Sequence, residues 1–382
     1  MLKKIIAGVG VTAFVATAVF AQDVPGAAPQ QGRRAGAGAG RAAGAAPAAD
    51  PTTPTQAQWD TPDAQAFVTK AKALAGNDTD LQFDVAFNCT PDGTHAPGGG
   101  GGGGGDGAAA GNTGIPFVPS PRPAIPLPPQ HVMDNLWWFG GSGVGSWLIT
   151  SNKGYILFDT LNDADEEQSV LLDGMKTVGL DPKQIKYVVI GHFHLDHTGG
   201  GHLIQSTLHV PIYMGRDDWP LYFKSVASAD GQGGRLKDKT PMTQDRIAED
   251  GMKLTVGDTT LTFYSMPGHT PGSTGFIFNA KYQGKTHPVL IVTASAGGNN
   301  VRNREAFIGG YEHIWNAAEK AKVESVMQSH PNYNQNTLSR MEYLTAHYPM
   351  TKNPMLYGAE KDRKYIEITR ACAQARMAAL GW

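Results

Sequence analysis

From His131 onward the chain alternates short apolar runs with longer stretches whose apolar residues recur every three or four positions. NLWWFG, GSWLITS and GYILFDT read as strands, whereas Asp163 to Gly179 places Val170, Leu171, Met175 and Val178 on one helical face. IKYVVIG follows as a buried strand, then a short helix from Gly200 and the strand PIYMG. Ser225 to Asp250 reads as a polar insertion, and KLTVG, TLTFYSM, TGFIFNA, PVLIVTA and VESVMQ continue the strand series. Helices are predicted over Arg304 to Lys322, Leu338 to His347 and Lys361 to Leu380. Hairpins mixed with strand-helix units argue against a purely parallel doubly wound sheet and for mixed sheets covered by helices.

The first third of the chain follows different rules. The 48 glycines and 25 prolines concentrate there, so little of it can bury a core. Residues 1–21 place Lys3 and Lys4 before an apolar run from Ile5 to Phe20, with Ala21 in a V-F-A context, and read as a cleaved export signal, with an uncleaved anchor as the alternative. Residues 22–57 form an Ala/Gly/Pro-rich linker. Within 58–90, a Thr-Pro start at Thr61 and the spacing of Phe67, Ala71 and Leu74 predict a short docking helix. Residues 91–129, with the glycine run Gly98 to Gly105, form a second linker, and 130–382 is the main domain.

Export, most simply to a periplasm, bears on the two cysteines, because an oxidising compartment preserves disulfides. Cys372 shares a helix face with Tyr365, Ile368, Ala375 and Ala379, so Cys89 and Cys372 are expected to pair and clamp the helical extension to the C-terminal helix; two unpaired buried thiols are the alternative. The formal net charge of −2 gives no general attraction for nucleic acid. Arg33, Arg34 and Arg41 lie in a glycine-alanine tract without interleaved aromatics and read as part of a solvated linker. Once the signal is removed, no membrane attachment is expected.

The chemistry concentrates in GHFHLDHTGG, where the strand IKYVVIG ends. His192 and His194, two residues apart, project to one side of an extended segment, and the following turn aims Asp196 and His197 at an adjacent point. Gly199 and Gly200 let the next helix start close by. Two later strand ends supply His269, in MPGHTPGST, and His330, in QSHPNYN. His192, His194 and His269 make a three-histidine site with an open fourth position, and Asp196, His197 and His330 make a neighbouring, harder one.

H-x-H-x-D-H, PGHTPGS and the final SHP, spread over residues from about 131 to 382, resemble the metallo-β-lactamase superfamily. The resemblance implies an α/β (α+β) fold, the four-layer αβ/βα sandwich in which two mixed sheets are flanked by helices and metals sit at one sheet edge. Asp159, closing GYILFDT, matches the family's buried aspartate that supports the metal loop, and Thr198 is placed with it behind the ligands. Glyoxalase- and lactonase-type members carry an aspartate bridging the metals near PVLIVTASAGG, where this chain offers Thr293, Ala294 or Ser295. With no cysteine near that position, the site is most similar to the third, cysteine-free dizinc lactamase subclass.

What the resemblance implies for function is an exported β-lactamase that opens its small cyclic substrate with a hydroxide activated by two zinc ions, Asp196 serving as the catalytic carboxylate. Other divalent metals tolerate the same residues. Ser295, Asn299, Asn300 and Arg302 are candidates to hold a substrate carboxylate, and loops around Trp219, Tyr222, the 225–250 insertion and Tyr333 are expected to shape the substrate pocket. A hydrolase of another cyclic ester or amide is the competing reading, and a metal-binding protein without turnover a more distant one.

Overall fold

Alternation of side chains along the strands decides the architecture. In β3 (Gly145–Ser151), Trp147 and Ile149 point into one apolar cluster and Leu148 into another. In β4 (Gly154–Phe158), Ile156 and Phe158 take the first and Leu157 the second. A strand apolar on both faces must be covered on both, which requires layers above and below its sheet.

The computed structural model describes residues 53–91, 126–228, 240–293, 307–331 and 337–382. One sheet has seven strands in the order β1 (Gln130–Met133), β2 (Leu136–Gly140), β3, β4, β5 (Ile185–Val189), β6 (Ile212–Met214) and β7 (Arg246–Ile247), antiparallel through β4 and parallel beyond. The other runs β12 (Ser325–Gln328), β11 (Lys285–Val292), β10 (Thr274–Tyr282), β9 (Thr259–Ser265) and β8 (Lys253–Val256), with only β11 and β12 parallel. Trp138, Trp147 and Phe158 meet Phe263, Phe276, Phe278 and Met327 between the sheets. Leu148, Leu157 and Val188 face the helices outside the first sheet, and Leu290, Val292 and Val326 face those outside the second. The result is the expected four-layer αβ/βα sandwich.

The extension has a one-turn helix, Gln56–Trp59, followed by two longer ones. Pro62–Ala75 starts with proline at its first turn, and Thr79–Asn88 starts on Asp78, whose carboxylate accepts from the Asp80 and Leu81 N–H groups. Ala64, Val68, Ala71 and Ala75 are the buried stripe of Pro62–Ala75, with Phe67 and Leu74 only partly covered. These small residues admit close approach to the C-terminal helix Ala359–Leu380, which buries Tyr365, Ile368, Cys372, Ala375 and Ala379. A disulfide joins Cys89 to Cys372 across 283 residues of sequence. The buried Arg340 side chain adds an ion pair with Asp80, and Lys361 bonds the same carboxylate at 2.6 Å.

Three local readings need correction. The helix expected over Asp163 to Gly179 is α-helical only at Ala164–Glu166 and Asp173–Thr177, with π-helical Glu167–Leu172 between them. The wider turn shifts the buried face to Leu171, Leu172 and Met175, leaving Val170 and Val178 partly covered. The segment before the polar insertion is a helix, Asp218–Ala227. Trp219 and Tyr222 are therefore core residues rather than pocket-shaping loop positions: both are buried, the Trp219 indole donates to the Arg246 carbonyl, and the Tyr222 hydroxyl accepts from the Met242 N–H. Their i, i+3 spacing puts both on the core-facing stripe. The third difference is Asp159, which ends β4 in a left-handed conformation, φ 64°, rather than extending the strand. The expected export signal, the expected first linker to residue 52, the glycine-rich stretch from 92 to 125 and the centre of the insertion from 229 to 239 lie outside the described residues.

Candidate metal centre

Strands β4, β5, β9, β11 and β12 all deliver their C-terminal ends to one edge of the sandwich, and every candidate ligand follows from one of these ends or from the loop after it. The β5 strand ends at Val189, and its chain continues through Ile190 and Gly191 into His192. Gly191 is required there because a side chain would collide with Thr293 and Phe158. The one-turn helix Leu195–Thr198 then carries Asp196 and His197. The Thr198 hydroxyl ties down its start by donating to the His194 carbonyl at 3.0 Å. Gly199 passes against the backbone of Asn162, leaving no space for a side chain.

Two triads result. His192 Nε2, His194 Nδ1 and His269 Nε2 form a triangle with every side 3.0 Å. That spacing suits a single ion with metal-nitrogen bonds of about 2.0–2.1 Å. Burial holds the His192 ring well below the usual imidazole range and His269 down to about 3, with the neighbouring histidines adding to the effect. These rings are neutral at physiological pH, as ligation requires. The second triangle joins Asp196 Oδ2 to His197 Nε2 at 3.4 Å and to His330 Nε2 at 3.3 Å, and the two nitrogens are 3.1 Å apart. Ligand atoms of His192, Asp196 and His197 also fall within 4.8 Å of one another, so the triads lie side by side.

Outer contacts aim the rings. Asp159 is fully buried, and its carboxylate accepts from the Gly191 N–H at 2.8 Å, from His197 Nδ1 at 2.8 Å and from the Ser329 hydroxyl. A proton held at Nδ1 leaves Nε2 of His197 to face the second triad. His330 Nδ1 donates to the Gly143 carbonyl at 2.8 Å, with the same consequence. Thr293, at the end of β11, stands behind the centre, its hydroxyl 2.8 Å from His192 Nδ1 and 3.4 Å from His197 Nδ1. Burial would lower the His197 pKa, but the carboxylates of Asp196 and Asp159 outweigh it and push it up to about 10. Burial likewise acts against Asp196, yet His197 and His330 hold its carboxyl far below the usual range.

The structure thus brings His192, His194, His269, Asp196, His197 and His330 together, with Asp159 and Thr198 behind them. Ser295, Asn299, Asn300, Arg302 and Tyr333 lie outside the described residues. Thr293, Ser329 and Gly143 were not assigned these supporting roles from sequence; their position at or beside strand ends on the same edge was the available signal. A cavity of 310 Å³ opens beside the second triad, where Asp196 and His330 face Val144, Leu161 and Val170.

Residues 140–284 match the family model of the metallo-beta-lactamase superfamily. The match is confined to that stretch, and the fold of the described residues is like that of the subclass B3 metallo-beta-lactamases. It is similar in structure to BJP-1, a subclass B3 metallo-beta-lactamase of Bradyrhizobium japonicum, with a TM-score of 0.52 at 24% identity, covering 64% of this chain and 90% of that one. In sequence it is similar to the N-acyl homoserine lactonase AttM of Agrobacterium fabrum, 33% identical over 135 residues, which is 35% of this chain and 49% of the relative. An N-acyl homoserine lactonase of a Bacillus species is 27% identical over 167 residues, 43% of this chain and 60% of the relative. The chain therefore spans about half the length of the curated relatives it matches. Among the described residues, no helix is long and apolar enough to cross a membrane.

Proposed function

We propose that the protein is an exported, metal-dependent hydrolase that opens a small cyclic amide, with a β-lactam as substrate and two zinc ions as cofactors. The observation that carries this reading is the pair of adjacent triads, five histidines and one carboxylate converging from separate strand ends, with Asp196 and His330 of the second triad lining a cavity. Bound divalent cations would supply Lewis-acid activation of water and of the scissile carbonyl at neutral pH. His192, His194 and His269 would hold one ion, and Asp196, His197 and His330 the other.

Asp196 is the only acid among the six, and its side chain keeps 32% of its exposure, so its carboxylate can orient the attacking water. Asp159 and the Gly143 carbonyl keep the ring protons of His197 and His330 away from the centre. Val144, Leu161 and Val170 offer apolar contact to the body of a substrate. Ser295, Asn299 and Arg302 are proposed to take its carboxylate, and Tyr333 to contact the substrate. Export to a periplasm is part of the same proposal, supported by the N-terminal pattern and by the Cys89–Cys372 disulfide.

A second reading, hydrolysis of an N-acyl homoserine lactone, is favoured by the activity named for the curated relatives. Against it, Thr293-Ala294-Ser295 stands where lactonase-type members carry their bridging aspartate. The deciding experiment compares a chromogenic cephalosporin, a carbapenem and an N-acyl homoserine lactone as substrates of the mature, zinc-loaded protein, with and without chelator. Chelator-sensitive opening of the lactams supports the first reading. Turnover of the lactone alone establishes the second, and turnover of none by protein holding two zinc ions removes both.

A further inference from the structure

The three-histidine triad draws its ligands from two loops distant in sequence, one carrying His192 and His194 and the other His269. A triangle with 3.0 Å sides forms only if those loops are held at a fixed separation. A backbone bond from the Thr274 N–H to the Gly191 carbonyl, at 2.8 Å, joins the two segments outside the ligands, but none of the supporting contacts described above joins the stretch between His192 and His194 to the loop beyond His269. Asp218, at the start of the helix Asp218–Ala227, does so.

Its carboxylate is fully buried and reaches both loops. Oδ2 accepts from the Phe193 N–H at 3.0 Å, the amide between the two histidines of the first loop. The same oxygen accepts from the Thr270 hydroxyl at 2.6 Å, on the residue after His269. Oδ1 accepts from the Gly272 N–H at 2.7 Å, farther along the second loop. The approach is built in on both sides. A side chain at Gly272 would strike Asp218, and one at Gly215 would strike the Gly272 carbonyl. Thr270 is itself held by Ser273, whose hydroxyl lies 2.8 Å from its own.

We propose that Asp218 is the positioning residue of the three-histidine triad, fixing the distance between the His192/His194 loop and the His269 loop. The proposal rests on the metal-centre reading. Asp218 touches neither ligand nor substrate; it acts through the Phe193 amide and Thr270. A carboxylate suits the role because one side chain supplies two acceptor oxygens to three donors from two loops. Asparagine in its place presents an NH2 group to at least one of them.

The test uses the mature, disulfide-bonded protein, stripped of metal and reloaded with cobalt(II), comparing wild type, Asp218→Asn and Thr270→Val. Cobalt affinity is read by chelator competition, and coordination by the visible spectrum. D218N is expected to keep one ion at wild-type affinity, in the Asp196/His197/His330 triad, and to bind the other about 10–100-fold more weakly with an altered spectrum. T270V, which leaves both backbone contacts to the carboxylate, is expected to show a smaller loss at the same site. A general loosening of the fold would weaken both ions. Two ions bound to D218N with wild-type affinities and spectrum overturn the proposal. Should D218N fail to fold, wild-type affinity for both ions in T270V overturns it. Wild-type protein that binds no cobalt overturns the metal-centre reading itself, a result visible before any variant is compared.

Discussion

Replacing Asp159 with asparagine separates hydrogen bonding from backbone strain. Asp159 sits at φ 64°, a conformation asparagine also tolerates, so D159N leaves the turn in place. The carboxylate accepts from three buried donors, the Gly191 N–H, His197 Nδ1 and the Ser329 hydroxyl. An amide has one acceptor oxygen, so whichever way it is turned, an NH2 group meets at least one donor. A buried donor left unsatisfied costs about 1–3 kcal/mol, and His197 also loses a neighbouring negative charge, so the metal-free protein should lose about 2–4 kcal/mol of stability. If the NH2 faces His197, the imidazole presents its Nδ1 lone pair to it and carries its proton on Nε2, the atom that faces Asp196 and His330. Affinity for the ion of that triad should then fall about 10–100-fold, with the three-histidine triad much less affected. Urea denaturation of chelator-treated protein measures the first quantity, and zinc titration against a chromophoric chelator the second. A stability loss under about 1 kcal/mol together with two zinc ions at wild-type affinity would refute the assigned role of Asp159.

Proton release should distinguish the triads. His192 and His269 are already neutral, whereas His197, with its pKa near 10, must surrender a proton, so at pH 8 filling the second triad should release one proton from His197 and filling the first none from those two rings. Calorimetry in buffers of different ionisation enthalpy reads this, and equal release at both steps contradicts it. Because the folded pKa of His197 is raised, its stabilisation of the metal-free fold is fully present below about pH 6.5 and lost as the pH rises through about 10. The Cys89–Cys372 bond closes a separation of 283 residues, so the Cys89→Ser, Cys372→Ser double variant should be less stable by about 2–5 kcal/mol, and melting curves that match the oxidised wild type would exclude this. Phe276 is buried between the sheets with its ring edge-on to Phe158 at 5.0 Å; Phe276→Ala should cost about 3–5 kcal/mol by denaturation, and a loss under about 1 kcal/mol would show that the inter-sheet core closes over the gap.

Sequence periodicity by itself determined most of the strands, the mixing of hairpins with strand-helix units and the loops on which the metal-binding side chains stand, while the four-layer arrangement came from the family resemblance. Unbroken apolar runs record which strands are covered on both faces, and H-x-H-x-D-H at a strand end concentrates four donors within six residues. The stripe on the C-terminal helix likewise marked Cys372 as facing the core. Only the tertiary structure decided the rest. The π-helical turn at Glu167–Leu172 and the left-handed Asp159 are departures that apolar spacing does not encode. Trp219 and Tyr222 were expected on loops that shape the pocket, yet the helix that carries them turns both into the core. Thr293 meets His192 from 101 residues away, Ser329 meets Asp159 from 170, and Asp218 joins two loops that lie 25 and 52 residues from it. Local pattern reports which way a residue faces, because that depends on the few residues around it. Which buried donor meets which acceptor depends on where separate strands end in space, and that is settled only when the sheets pack together.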